Sequence, residues 1–120
     1  YMIPFGTPGG DVQIQAMVQC LLNVISWGMD PQQAVESPRF ASYSFPDSFE
    51  PHNRFPGKLA LESRIPGETT LQLKSLGHQV EAWPEWTPKA GAVCMIQINQ
   101  IHSYHLSGAD PRRPAYALGW

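Results

Sequence analysis

Between residues 12 and 27, apolar side chains recur at Val12, Ala16, Met17, Cys20, Leu21, Val24 and Ile25, with Gln13, Gln15, Gln19 and Asn23 set among them. Spacings of three and four put one apolar stripe along an α-helix. Ile14, Val18 and Leu22 widen that stripe, so the helix is expected to be covered on more than one side. Gly28 then ends it as a left-handed cap. Asp30 and Pro31 restart a short helix, Asp as N-cap and Pro at the first position, which runs to about Glu36 and stops before Pro38. From Arg39 to Pro66 aromatics and prolines dominate, which predicts short strands joined by ordered loops.

Further along, Leu59 to Glu62 is predicted as a strand, and Gly67 to Leu76 as a short helix capped by Gly77. His78 to Trp83 begins the next strand, followed by a rigid loop, Trp83-Pro84-Glu85-Trp86-Thr87-Pro88. Ala92 to Ile98 alternates well, and Ile101 to Leu106 follows after Asn99-Gln100, which reads as a two-residue hairpin turn. The tail from Ser107 to Trp120 is rich in turn residues. With a first strand over Tyr1 to Phe5, the order is β–α–α–β–β–α–β–β–β, a mixed α+β class best met by a sheet with helices on one face.

Composition narrows the function. At 120 residues and 42% hydrophobic content the chain is one domain's worth and able to bury a core. Charged residues make up 15% and the net charge is −2, with basic residues scattered, so neither nucleic acid nor a membrane surface is an expected partner. No apolar run reaches membrane-spanning length. Cys20 and Cys94 have no ligand-like spacing and read as separate buried hydrophobes, which fits a reducing compartment slightly better. The chain opens directly into a strand, so it is expected to be a single domain over residues 1–120 cut from something longer, and to self-associate through edges or faces left bare.

The candidate chemistry lies in Gly6-Thr7-Pro8-Gly9-Gly10-Asp11, between the first strand and the long helix. Two adjacent glycines remove every side chain from around their amides. A turn of this kind at a helix start gathers free N–H donors at the positive end of the dipole, suited to a carboxylate, a phosphate or an oxyanion. The plainer alternative is a tight strand-to-helix turn with Asp11 as N-cap. His52, His78, His102 and His105 are unclustered, and the last two fall on opposite strand faces, so no metal is expected. Arg39 reads as a salt-bridge partner, Asp110-Pro111-Arg112 as an Asp-started turn ordering the tail, and Trp83 and Trp86 as a loop packed on the sheet.

Gly6-Thr7-Pro8-Gly9-Gly10, then Leu21-Leu22-Asn23-Val24, Trp27-Gly28-Met29, Gln33-Ala34-Val35-Glu36, Pro38-Arg39-Phe40, Leu76-Gly77-His78-Gln79-Val80 and Gly108-Ala109-Asp110-Pro111-Arg112-Arg113 together resemble the gamma-glutamyltransferase family in order and register. The resemblance implies an N-terminal-nucleophile hydrolase, an αββα sandwich made from a precursor that cuts itself into a large and a small chain. It implies that the small chain's new N-terminal threonine attacks a gamma-glutamyl amide such as that of glutathione, and that no cofactor is needed. This chain is similar to the C-terminal part of the small chain, so the nucleophile and the remainder of the precursor are expected upstream. The family's oxyanion donors match Gly9 and Gly10. Thr7 stands where serine is frequent and is expected to shape the loop beside the substrate. Asp11 replaces a frequent serine, and Ala41 a frequent histidine.

Overall fold

A computed structural model describes residues 2–118, so Tyr1 of the expected first strand and the Gly119-Trp120 end of the tail lie outside the described residues. The elements are β1 (Phe5–Gly6), α1 (Val12–Ile25), α2 (Pro31–Glu36), β2 (Phe40–Ser42), β3 (Lys58–Glu62), α3 (Gly67–Ser75), β4 (Gln79–Trp83), β5 (Cys94–Asn99) and β6 (Tyr104–Ala109), with a 3-10 turn over Pro88–Ala90. Their order is the expected one, and the class is α+β.

The strands build two sheets, which corrects the single sheet expected from their order. One is antiparallel, in the order β1-β5-β6. In the other, β2-β3-β4, the pair β2–β3 is antiparallel and β3–β4 parallel. The division follows from the connections. Helix α3 is the crossover that a parallel pair requires, and the stretch after β4 then leaves that sheet and enters the other. Strand β1 is shorter than expected, continued only by a bridge between Met2 and Ile98. Between them Pro4 lacks an N–H, and only its carbonyl joins the ladder, accepting from Ile96 N.

Ala16, Cys20 and Val24 of α1 are buried at fourfold spacing against Ala34 and Val35 of α2 and Val93 and Met95 at β5. A second core gathers Ala41, Ala60, Trp83 and Ala90. The wider stripe is not covered: Ile14, Val18 and Leu22 are exposed, which corrects the expected multi-sided burial. The glutamines of α1 do more than face water. Gln15 bonds both the N–H and the carbonyl of Ser42, and Gln19 does the same for Phe40. Their amides stand in for a neighbouring strand along β2, whose backbone groups would otherwise lack partners.

Helix α2 is specified locally. Asp30 accepts from Gln33 N while the Gln33 side chain accepts from Asp30 N, a capping box with Pro31 at the first position. Gly28 is left-handed at φ 68°, as expected. The hairpin turn is longer than two residues, because Asn99 pairs with Tyr104 across the loop 100–103. The Asn99 carboxamide accepts from both Ile101 N and His102 N, closing the wider turn that the dipeptide signal does not anticipate.

Candidate functional site

The glycine bend leaves the edge of β1 and enters α1. Gly9 holds φ 127°, a conformation open to glycine and strained for other residues. The Gly10 carbonyl accepts from Gln13 N at 3.0 Å, closing the first turn of the helix. Among the described residues, neither the Gly9 nor the Gly10 N–H donates to a protein acceptor. Both glycines line a groove of about 930 Å³ that also takes in Phe45, Phe49, Lys89 and Arg113. Among the described residues the bend thus offers unpaired donors at the positive end of a 14-residue helix, beside an open space lined by the Lys89 and Arg113 cations and the Asp11 and Asp47 carboxylates.

Thr7 is held on both sides of its hydroxyl. Its Oγ1 accepts from Ala92 N at 2.7 Å and donates to the Pro8 carbonyl at 2.9 Å. Asp11 occupies the N-cap position with φ −66° and ψ −12°, and its side chain makes no capping bond, which corrects that expectation. An Ncap carboxylate reaches the helix amides from extended backbone, and Asp11 is already helical. Its carboxylate instead accepts from the Ser48 N–H at 2.7 Å and from the Ser48 hydroxyl. These bonds, the hydroxyl's first, hold the Asp11 pKa below the ordinary carboxylate value. They also staple the loop carrying Phe49 beside Gly10, whose α-carbon would bring an added methyl within 3.4 Å of the Phe49 ring.

Behind the bend lies a buried ionic cluster. Arg39 bonds Asp110 through Nη2, and Asp110 also holds Arg112 at 3.0 Å. Arg112 reaches Glu62 through Nε and Nη2, at 2.7 Å and 2.6 Å. Arg64 closes on Glu62 at 3.0 Å and lies over the Trp86 ring at 3.6 Å. Arg39, Glu62, Asp110 and Arg112 are all buried. The salt bridge expected for Arg39 and the structural role expected for Asp110-Pro111-Arg112 are both present. Glu62 was not singled out in the sequence, because Leu59-Ala60-Leu61-Glu62 reads as an ordinary strand. Lys89 and Gly91 carry no motif in the sequence, although a glycine just ahead of a strand is a signal of close backbone approach.

The remaining candidates are dispersed. His52 pairs with the exposed Glu50 at 3.2 Å, and His102 stacks on Tyr104. Among the described residues no group of three or more His, Cys, Asp or Glu is gathered to hold a metal ion, and no helix is long and apolar enough to cross a membrane. Trp83 is buried in β4, edge-on to Tyr43. Cys20 is core, its thiol pushed up by burial and drawn partly back by the Arg39 charge. Cys94 is exposed, which corrects the burial expected for it: in β5 its neighbour Met95 takes the core face and Cys94 the opposite one.

Residues 1–120 match the Gamma-glutamyltranspeptidase family profile. The chain is 30% identical over 118 residues to the glutathione hydrolase-like YwrD proenzyme of Bacillus subtilis (strain 168), covering 98% of this chain and 21% of that protein. It superposes on the solved LmbA2991HD structure with a TM-score of 0.83 and 32% identity, over 92% of this chain and 20% of that one. A mutant of Helicobacter pylori gamma-glutamyltranspeptidase gives a TM-score of 0.73 at 27% identity, over 92% of this chain and 54% of that one. The chain therefore spans about a fifth of the length of the curated relatives it matches. Its α+β arrangement is part of an N-terminal-nucleophile hydrolase αββα sandwich. On the match over its whole length, the chain belongs to the gamma-glutamyltranspeptidase family.

Proposed function

We propose that this chain is the C-terminal part of the small chain of a gamma-glutamyltransferase-like enzyme, in which Gly9 and Gly10 donate to the oxyanion formed during acyl transfer from a gamma-glutamyl amide such as glutathione. The observation that carries this reading is the pair of glycine N–H groups without an acceptor among the described residues, at the start of α1 and against the groove. When a hydroxyl adds to an amide carbonyl, negative charge gathers on the carbonyl oxygen, and preorganised N–H donors stabilise it. Collapse of that intermediate expels the amine and leaves an acyl ester, which water or an amino acid then resolves.

The attacking threonine, with its own amine as base, is supplied by the precursor outside these residues, so the large chain and the start of the small chain are the partners of this piece. The chemistry calls for no cofactor. Lys89 and Arg113 support a substrate that carries a carboxylate near the reacting amide. Thr7 acts by shaping the bend. The same two cations support a second reading, a non-catalytic module that holds an anion on the glycine loop.

The test is turnover of a gamma-glutamyl chromogenic amide by the full-length, self-cleaved precursor and by Gly10→Ala and Gly9→Ala variants. Displacing one donor is expected to lower kcat by about 10²–10³-fold, the usual worth of an oxyanion-hole donor. Unchanged kcat in both overturns the assignment. Binding of a carboxylate with no turnover by the cleaved precursor favours the anion-binding reading. The 120-residue chain alone is expected to release only background product, and turnover by it overturns the external nucleophile.

A further inference from the structure

No hydrogen bond within the protein fixes the two glycine N–H groups among the described residues, so their aim is set by what holds the bend from outside. The Asp11–Ser48 bonds hold its helix side; the contact on the Thr7 side is the segment between the 3-10 turn and β5. Ala92 N donates to Thr7 Oγ1 at 2.7 Å, and the same hydroxyl ties the Pro8 carbonyl at 2.9 Å. The backbone comes this close because residue 91 has no side chain. A β-carbon on Gly91 would stand 2.9 Å from Thr7 Oγ1 and 3.1 Å from the Ala16 methyl, and its φ of 79° also favours glycine.

The segment itself is clamped to the ionic cluster. Arg39 Nη1 donates to the Ala90 carbonyl at 2.9 Å, and Val93 N donates to Asp110 Oδ2 at 2.9 Å. Asp110 Oδ2 is also the atom that receives Arg39 Nη2. Ala90, Ala92 and Val93 thus each commit a backbone group, to Arg39, Thr7 and Asp110 in turn.

We propose that Thr7 and Gly91 are positioning residues: Ala90–Val93 is a strut, footed on the Arg39–Asp110 pair, that aims the Gly9-Gly10 bend at the reacting carbonyl. This rests on the oxyanion reading of the two glycines, and it adds the device that makes their geometry reproducible. Reacting groups must be held within about 0.5 Å of the productive arrangement, which a glycine pair cannot do alone.

The test compares Thr7→Val, which keeps the shape and loses the hydroxyl, with Thr7→Ser, which keeps the hydroxyl, in the full-length cleaved enzyme. Thr7→Val is expected to lower kcat by about 10–100-fold with KM nearly constant, since a misplacement near 1 Å costs up to about that much. Thr7→Ser is expected to retain the parent kcat, and Gly91→Ala to behave as Thr7→Val. Crystal structures of both threonine variants give a readout independent of turnover. The Gly9 and Gly10 nitrogens are expected to shift by more than about 0.5 Å in Thr7→Val and to hold still in Thr7→Ser. Nitrogens that stay in place in Thr7→Val, or equal loss of kcat in the two variants, overturn the strut. An enzyme inert on every gamma-glutamyl amide defeats the functional reading, and the crystallographic comparison still decides the strut.

Discussion

Arg39 and Asp110 meet at 2.5 Å with both side chains out of reach of solvent, although 71 positions separate them in the chain. Each does more than pair. Arg39 also donates to the Val35 and Ala90 carbonyls, and Asp110 also accepts from Val93 N and Arg112. Taking charges out of water is expensive, and removing one partner strands the other. Asp110→Ala is therefore expected to cost about 3–5 kcal/mol in urea unfolding of the full-length protein. Arg39→Lys is expected to recover little, because one ammonium cannot span the acceptors that the guanidinium fork reaches. Native-like stability in either variant would contradict the pairing.

The Asp11–Ser48 staple predicts a specific acid response. The Asp11 pKa is lowered from 3.8 by the Ser48 hydroxyl and then by its amide. A depressed carboxylate stabilises the fold above its unfolded pKa, and that contribution drains away as pH falls through the folded value. The loss is thus expected on the acid side of the ordinary Asp range, with no change near neutrality. An NMR titration of the Asp11 carboxyl carbon should show an upward move in Ser48→Ala, and a pKa unmoved by that substitution rules out the staple as its cause.

Cys20 sits at 0% exposure, with its thiol raised by burial. The thiolate is the reactive form, so alkylation by iodoacetamide at mildly alkaline pH is expected only at the rate of unfolding. Peptide mass spectrometry with and without denaturant measures this directly. Labelling of Cys20 in native protein within minutes would mean that α1 does not pack as described.

The uncovered side of α1 bears Ile14, Val18, Leu22 and Ile25, with Ile14 at 70% exposure. Contiguous apolar surface of this kind seeks a cover. The 120-residue chain on its own is expected to self-associate, and Ile14→Glu with Leu22→Lys to reduce that association, as read by sedimentation velocity. A monomer at high concentration, equally with and without the charged pair, would show that this face is not the cause.

What the sequence reveals here tracks how local each determinant is. Helix α2 was readable because Asp30, Pro31 and Gln33 settle its start within one turn. The glycine bend was readable as composition, since two adjacent glycines before a long apolar-periodic run have few other uses. Asp11 stands at the N-cap position without a capping bond because the Ser48 donors, which compete with the helix amides for its carboxylate, lie on a different loop. The hairpin turn was misread because the Asn99 side chain, and not the backbone alone, closes it. The element pattern alone does not tell two sheets from one, since pairing of β4 with β3 and of β5 with β1 is settled by tertiary geometry; the two sheets are legible only through the family resemblance. Least visible of all was the Thr7–Ala92 bond, which joins residues 85 apart and leaves no periodic trace.

The hairpin of β5 and β6 is gripped at its open end, where Val93 and Asp110 meet, and its far end carries only the loop 100–103, with Ile101 at 88% exposure. That tip is the end of the hairpin away from the glycine bend, which sits by the Gly6–Cys94 pairing at the base. It is therefore the natural place to graft a fluorophore or an affinity handle, because exposed loop ends accept insertions while the anchored base keeps its shape.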